Sequence, residues 1–185
     1  RINNQKIYAA GWSLGGTAAL FNAWRPLQEA LNLPNASFTG YLMWYPGCLA
    51  LPDLNEWDKD FMQIYIGEDD NWTPPQPCKE LVALMNDQGG NAHIELYPNA
   101  FHSFDHPDPL RLVPDAYSWA NCKLKLNGET KKVYPNNAEL DFSDPKARRA
   151  AYESCAVKGE VMAGASPEYQ NAAFEHLATL LPKLD

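Results

Sequence analysis

The run Gly11-Trp12-Ser13-Leu14-Gly15-Gly16 decides the reading of this chain. It follows Lys6-Ile7-Tyr8-Ala9-Ala10, a short stretch with strand character. It precedes Thr17-Ala18-Ala19-Leu20-Phe21-Asn22-Ala23-Trp24, which reads as a helix. A strand, then G-x-S-x-G, then a helix is the setting of a nucleophile elbow. Such a turn lifts a serine hydroxyl clear of the backbone and brings strand and helix too close for side chains at the flanking positions. Glycine has no Cβ to clash there.

Three further apolar runs have strand character: Phe38–Tyr45, Phe61–Ile66 and Ala92–Tyr97. They are short, aromatic and partly continuous, as buried parallel strands are. Helical stretches alternate with them at Thr17–Trp24, Pro26–Leu33 and Pro77–Asp87, the last stopped by Gly89-Gly90. Strand alternating with helix predicts βαβ units and a mostly parallel sheet flanked by helices, an α/β fold. Beyond Asp108 the pattern changes. Cys122–Leu126 and Lys131–Tyr134 flank Asn127-Gly128 and predict a hairpin. A helix is expected from Ser143 or Asp144 to about Lys158, with Pro145 tolerated in its first turn. A closing helix is expected from Ser166-Pro167 to about Leu181. The hairpin and its helix read as an insertion, residues 109–165, within one domain, 1–185.

The formal net charge of −8 disfavours nucleic acid as a partner. No stretch approaches the roughly 20 apolar residues of a membrane-spanning helix. Four cysteines, Cys48, Cys78, Cys122 and Cys155, allow three pairings. Cys48–Cys78 with Cys122–Cys155 is the preferred set and implies an oxidising compartment. Asn35-Ala36-Ser37 and Asn71-Trp72-Thr73 match the glycosylation acceptor pattern and are read as accidental, because a sugar at Asn71 would crowd the acid-bearing loop.

Three reactive side chains fall just past the ends of three different strands: Ser13, the pair Asp69 and Asp70, and His102. Function collects at the carboxyl ends of parallel strands. A serine hydroxyl needs a base to take its proton, and neutral imidazole suits that task. A carboxylate holds the imidazole in the required tautomer. Ser13, Asp70 and His102 are therefore the candidate catalytic residues, with Asp69 an open alternative to Asp70. The Leu14 N–H is the expected oxyanion donor. Trp12, Trp72 and Phe101 are the candidate pocket residues. His106 and His176 are expected to face solvent, and His93 to sit packed or at an edge in its strand.

The segments Gly11–Gly16, Tyr45-Pro46-Gly47-Cys48, Gly67-Glu68-Asp69-Asp70-Asn71-Trp72-Thr73-Pro74 and Tyr97-Pro98-Asn99-Ala100-Phe101-His102-Ser103-Phe104-Asp105 resemble the dienelactone hydrolase family of α/β-hydrolases. The resemblance spans about residues 6–108. It implies a Ser-Asp-His triad on Ser13, Asp70 and His102, with no metal and no organic cofactor. The founding members carry cysteine at the elbow. Serine here favours hydrolysis of carboxylic esters or lactones through an acyl-enzyme. A non-catalytic binding protein or a peptidase of the same fold is the alternative. Tyr-Pro-Gly-Cys, with a cysteine in the helix after the acid, is similar to exported bacterial members and points to a periplasmic or secreted protein. The elbow of this fold ordinarily follows several strands, so the chain reads as the C-terminal part of a longer enzyme. A separate N-terminal segment is expected to complete the sheet and supply a second oxyanion donor. The expected partner is a small ester or lactone, with no nucleic acid and no membrane.

Overall fold

Two of the strand runs are buried along their whole length, and that burial sets the architecture. The computed structural model describes residues 6–33, 38–52, 56–122, 124–127, 132–135, 140–141 and 144–184. The elements run β1 (Tyr8–Trp12), α1 (Leu14–Asn22), α2 (Arg25–Ala30), β2 (Gly40–Trp44), β3 (Ala50–Pro52), β4 (Phe61–Gly67), α3 (Pro75–Asp87) and β5 (Asn91–Tyr97). Strands β1, β2, β4 and β5 form one sheet in that order, every neighbouring pair parallel. The two buried strands, β2 and β4, lie at its centre. The partly exposed β1 and β5 lie at its edges. With helices alternating with the strands in sequence and packed against the sheet, this is the α/β fold expected from the alternation.

The rest of the chain runs β6 (Arg111–Val113), β7 (Tyr117–Ser118), β8 (Leu124–Asn127), β9 (Lys132–Pro135), β10 (Leu140–Asp141), α4 (Pro145–Glu153), β11 (Val157–Lys158), β12 (Val161–Ala163) and α5 (Ala172–Leu180). The pairs β6 with β12 and β7 with β11 are short antiparallel ribbons. The hairpin β8–β9 joins β3 through a parallel pairing. Both disulfides of the preferred set are present, Cys48–Cys78 and Cys122–Cys155.

An aromatic row crosses the sheet beneath the elbow. Trp12, Trp44 and Tyr65 are register partners on β1, β2 and β4, so their side chains share one face. Trp12 stacks on Trp44 at 4.6 Å between centroids, and Trp44 on Tyr65 at 5.0 Å. Helix α5 covers the row, with Phe174 over Trp44 at 5.5 Å and His176 edge-on to Tyr65 at 5.8 Å. His176 therefore packs on a ring, against the expectation that it faces solvent.

Several boundaries differ from expectation. The first strand continues to Trp12, because the parallel ladder with β2 extends to that residue. The closing helix begins at Ala172, since Ser166-Pro167 opens a separate turn closed by Tyr169 N–H to Ser166 O. The helix expected to reach Lys158 ends at Glu153, and Val157–Lys158 is strand instead. Its start is as expected, with the Asp144 side chain accepting from Lys146 N–H. Asn127 stays in the ladder opposite Lys132, so the hairpin connection is longer than an Asn-Gly turn. The first glycosylation pattern overlaps residues 35–37, outside the described residues.

Candidate active site

Ser13 stands between β1 and α1 with φ 52 and ψ −118, a left-handed-side conformation that costs a non-glycine residue strain. The neighbouring glycines explain how it is held. A Cβ on Gly11 would come within 2.3 Å of the Gly15 backbone. One on Gly16 would meet the carbonyls of Gly11 at 3.0 Å and Trp44 at 3.1 Å. Gly15, by contrast, faces open space. The steric demand thus falls on positions 11 and 16 of the turn. Ser13 N–H is tied to the Trp44 carbonyl at 2.9 Å, which pins the elbow to the neighbouring strand.

Asp70 follows β4 and His102 follows β5, adjacent strands of the sheet, so their loops lie side by side. They touch closely because of Gly67: a Cβ there would lie 2.0 Å from the Ala100 carbonyl. Two backbone bonds lace the loops together, Glu68 N–H to Tyr97 O at 2.9 Å and Asp69 N–H to Ala100 O at 3.1 Å.

The outcome is a chain of hydrogen bonds. Asp70 Oδ2 lies 2.8 Å from His102 Nδ1, and His102 Nε2 lies 2.9 Å from Ser13 Oγ. An ionised carboxylate only accepts, so Nδ1 carries the proton and Nε2 is left to accept from the serine hydroxyl. Asp70 and His102 are only 2% and 1% exposed, while Ser13 is half-buried. The carboxylate and the imidazole are screened from solvent, and the hydroxyl is reachable. Asp69 is exposed, and of the two aspartates it is Asp70 that contacts His102.

The Asp70 carboxylate is fully supplied with donors. Trp72 N–H and Thr73 N–H reach Oδ1 at 2.9 and 2.8 Å. Thr73 Oγ1 lies 3.0 Å from Oδ2, 3.0 Å from His102 Nδ1 and 3.1 Å from the Tyr45 carbonyl. Its one proton serves one acceptor at a time.

Aromatic rings flank the imidazole, Tyr45 at 4.6 Å and Trp72 at 4.9 Å between centroids. Tyr45 donates its hydroxyl to Asp105 Oδ1 at 2.7 Å, and Trp12 donates Nε1–H to Asp105 Oδ2 at 2.8 Å. Asp105 therefore ties together the residue before the serine and a wall of the histidine. Burial, reinforced by the Asp105 carboxylate, pushes the Tyr45 phenol well above its ordinary value and keeps it neutral. Trp12, expected as a pocket residue, is committed to Asp105 and Trp44. Phe101 is half-buried. Leu14 opens α1 with its side chain 81% exposed, and its N–H belongs to the first turn, where amides lack an intrahelical partner. Among the described residues no group of three or more His, Cys, Asp or Glu side chains is arranged to hold a metal ion. No described helix is long and apolar enough to cross a membrane.

Thr73 and Asp105 were not among the candidate residues, although both lie inside the motifs that carry the family resemblance.

No family model matches the chain, and no curated protein does. Solved structures are similar in part. The carboxylesterase Cest-2923 from Lactobacillus plantarum WCFS1 is 16% identical, with a TM-score of 0.45, covering 56% of this chain and 48% of its own. Thermogutta terrifontis esterase 2 in its apo form is 19% identical, with a TM-score of 0.43, covering 54% and 47%. The chain spans about half the length of these structures.

Proposed function

We propose that this chain carries the catalytic residues of a serine hydrolase of the dienelactone hydrolase type, acting on carboxylic esters or lactones. The observation that carries the reading is the unbroken line Asp70–His102–Ser13, at 2.8 and 2.9 Å. His102 Nε2 takes the hydroxyl proton as Ser13 Oγ attacks the ester carbonyl. Asp70 stabilises the imidazolium that forms. The tetrahedral oxyanion is met by Leu14 N–H. Collapse expels the alcohol, which receives the proton from His102 and leaves an acyl group on Ser13. Water, deprotonated by the same imidazole, attacks the acyl carbonyl, and the acid departs as Ser13 regains its proton. Trp72 and Phe101 line the acyl side, and Trp12 forms a fixed wall.

In this reading residues 1–185 are one hydrolase domain with an insertion at 109–165. A strand from a separate segment pairs with the outer edge of β1 and brings the second oxyanion donor. The two disulfides support a periplasmic or secreted setting.

A fluorophosphonate probe tests the reading. The full-length protein is expected to label on Ser13 and to hydrolyse p-nitrophenyl esters. Ser13→Ala is expected to lose labelling and about 10⁶-fold of kcat. A folded full-length protein that neither labels nor hydrolyses overturns the proposal.

A further inference from the structure

The acid loop and the histidine loop are both hydrogen-bonded to the 109–165 segment, and one short stretch serves both. On the acid side the link is Asn71, directly after Asp70. Its Nδ2 donates to the Glu160 carbonyl at 2.6 Å, and its Oδ1 accepts from Met162 N–H at 3.1 Å. The side-chain amide pairs with β12 much as a peptide group of a neighbouring strand would. The Asn71 carbonyl accepts from Ser118 Oγ of β7 at 2.6 Å. On the histidine side, His102 forms a parallel bridge with Ala163, and its carbonyl accepts from Gly164 N–H at 2.9 Å. Residues 160–164 thus touch the neighbour of Asp70 at one end and His102 at the other.

This stretch is itself anchored. β12 pairs with β6 from Val161 opposite Val113 to Ala163 opposite Arg111, and Val161 is fully buried. β7 pairs with β11, and the disulfide Cys122–Cys155 joins the chain just beyond β7 to the chain just before β11. These contacts engage the Asn71 Oδ1 and one proton of its Nδ2.

We propose that Asn71 is a positioning residue through which the insertion fixes the separation of Asp70 and His102. The proposal rests on the triad reading and adds what holds that triad at its working distance. Asp70 and His102 sit on loops, and a misplacement of about 1 Å in such a pair costs about 10²-fold in rate. An asparagine meets the Glu160 carbonyl and the Met162 N–H at once. Aspartate keeps the acceptor for Met162 but has no donor for Glu160 O.

The test uses Asn71→Ala, Asn71→Asp and Ser118→Ala in the full-length protein, with two readouts. One is turnover of p-nitrophenyl acetate. The other is the downfield proton resonance of His102 Nδ1–H, which reports the Asp70 contact without needing turnover. In Asn71→Ala, kcat is expected to fall about 10- to 100-fold with KM within about twofold, and the resonance to broaden. Asn71→Asp is expected to behave similarly, and Ser118→Ala to shift both readouts less in the same direction. A folded Asn71→Ala protein with unchanged kcat and resonance overturns the proposal. If that variant does not fold, unchanged readouts in folded Asn71→Asp and Ser118→Ala overturn it equally. A protein with no turnover whose resonance still responds to Asn71 sinks the hydrolase reading and leaves the positioning role standing.

Discussion

Residues 8–108 and residues 109–165 are held together in different ways. The first region has a dense core: Leu20, Tyr41, Met43, Trp44, Ile64, Tyr65, Ile66 and Leu81 are essentially inaccessible. The second leaves Leu110, Leu112, Tyr117 and Val157 exposed. Its ribbons are two or three residues long and are tied by a disulfide and by hydrogen bonds to the site loops. The difference teaches where precision comes from. The sheet supplies a rigid rim, and the loops that leave it are held in place by a lightly packed neighbour.

Predictions that separate the two regions begin with the rim. Asp70→Asn is expected to lower kcat about 10⁴-fold, as loss of the orienting charge does in other triads. Asp69→Asn is expected to leave kcat nearly unchanged, because that side chain is exposed. Steady-state kinetics on both variants checks this, and equal losses would break the assignment. Next in size is the core beneath the rim. Trp44→Ala removes the middle of the aromatic row and is expected to cost about 3–5 kcal/mol in urea unfolding. A loss below about 1 kcal/mol would mean that the row is not a principal source of stability.

The two disulfides sharpen the contrast most directly. They span 30 and 33 residues, so chain entropy assigns them nearly equal stabilisation. Replacing Cys48 and Cys78 by alanine is expected to cost about 2–4 kcal/mol of global stability. Replacing Cys122 and Cys155 is expected to open residues 109–165 locally, raising their proteolysis rate with a smaller shift of the global transition. Equal global losses would show that the regions unfold as one unit.

The sheet was legible in the sequence because its central strands are buried on both faces and so read as largely apolar runs, with Gln63 the polar exception. The candidate triad was legible because elbow and strand ends coincide. The ribbons β6, β7, β11 and β12 were not, since two or three residues cannot display a period. The pairing of Tyr45 and Trp12 with Asp105 was hidden for another reason. Tyr45 meets Asp105 across 60 residues of sequence and Trp12 meets it across 93, and no local pattern encodes such a pairing. The contact of His176 with Tyr65 was hidden in the same way, since it joins α5 to a strand more than 100 residues away.

The open space at Gly15 bears on how relatives of this chain are recognised. Crowding at the elbow falls on Gly11 and Gly16, so the spacing that geometry enforces here is G-x-S-x-x-G. A search that insists on glycine two places after the serine would discard kin bearing alanine there, although their turns close equally well.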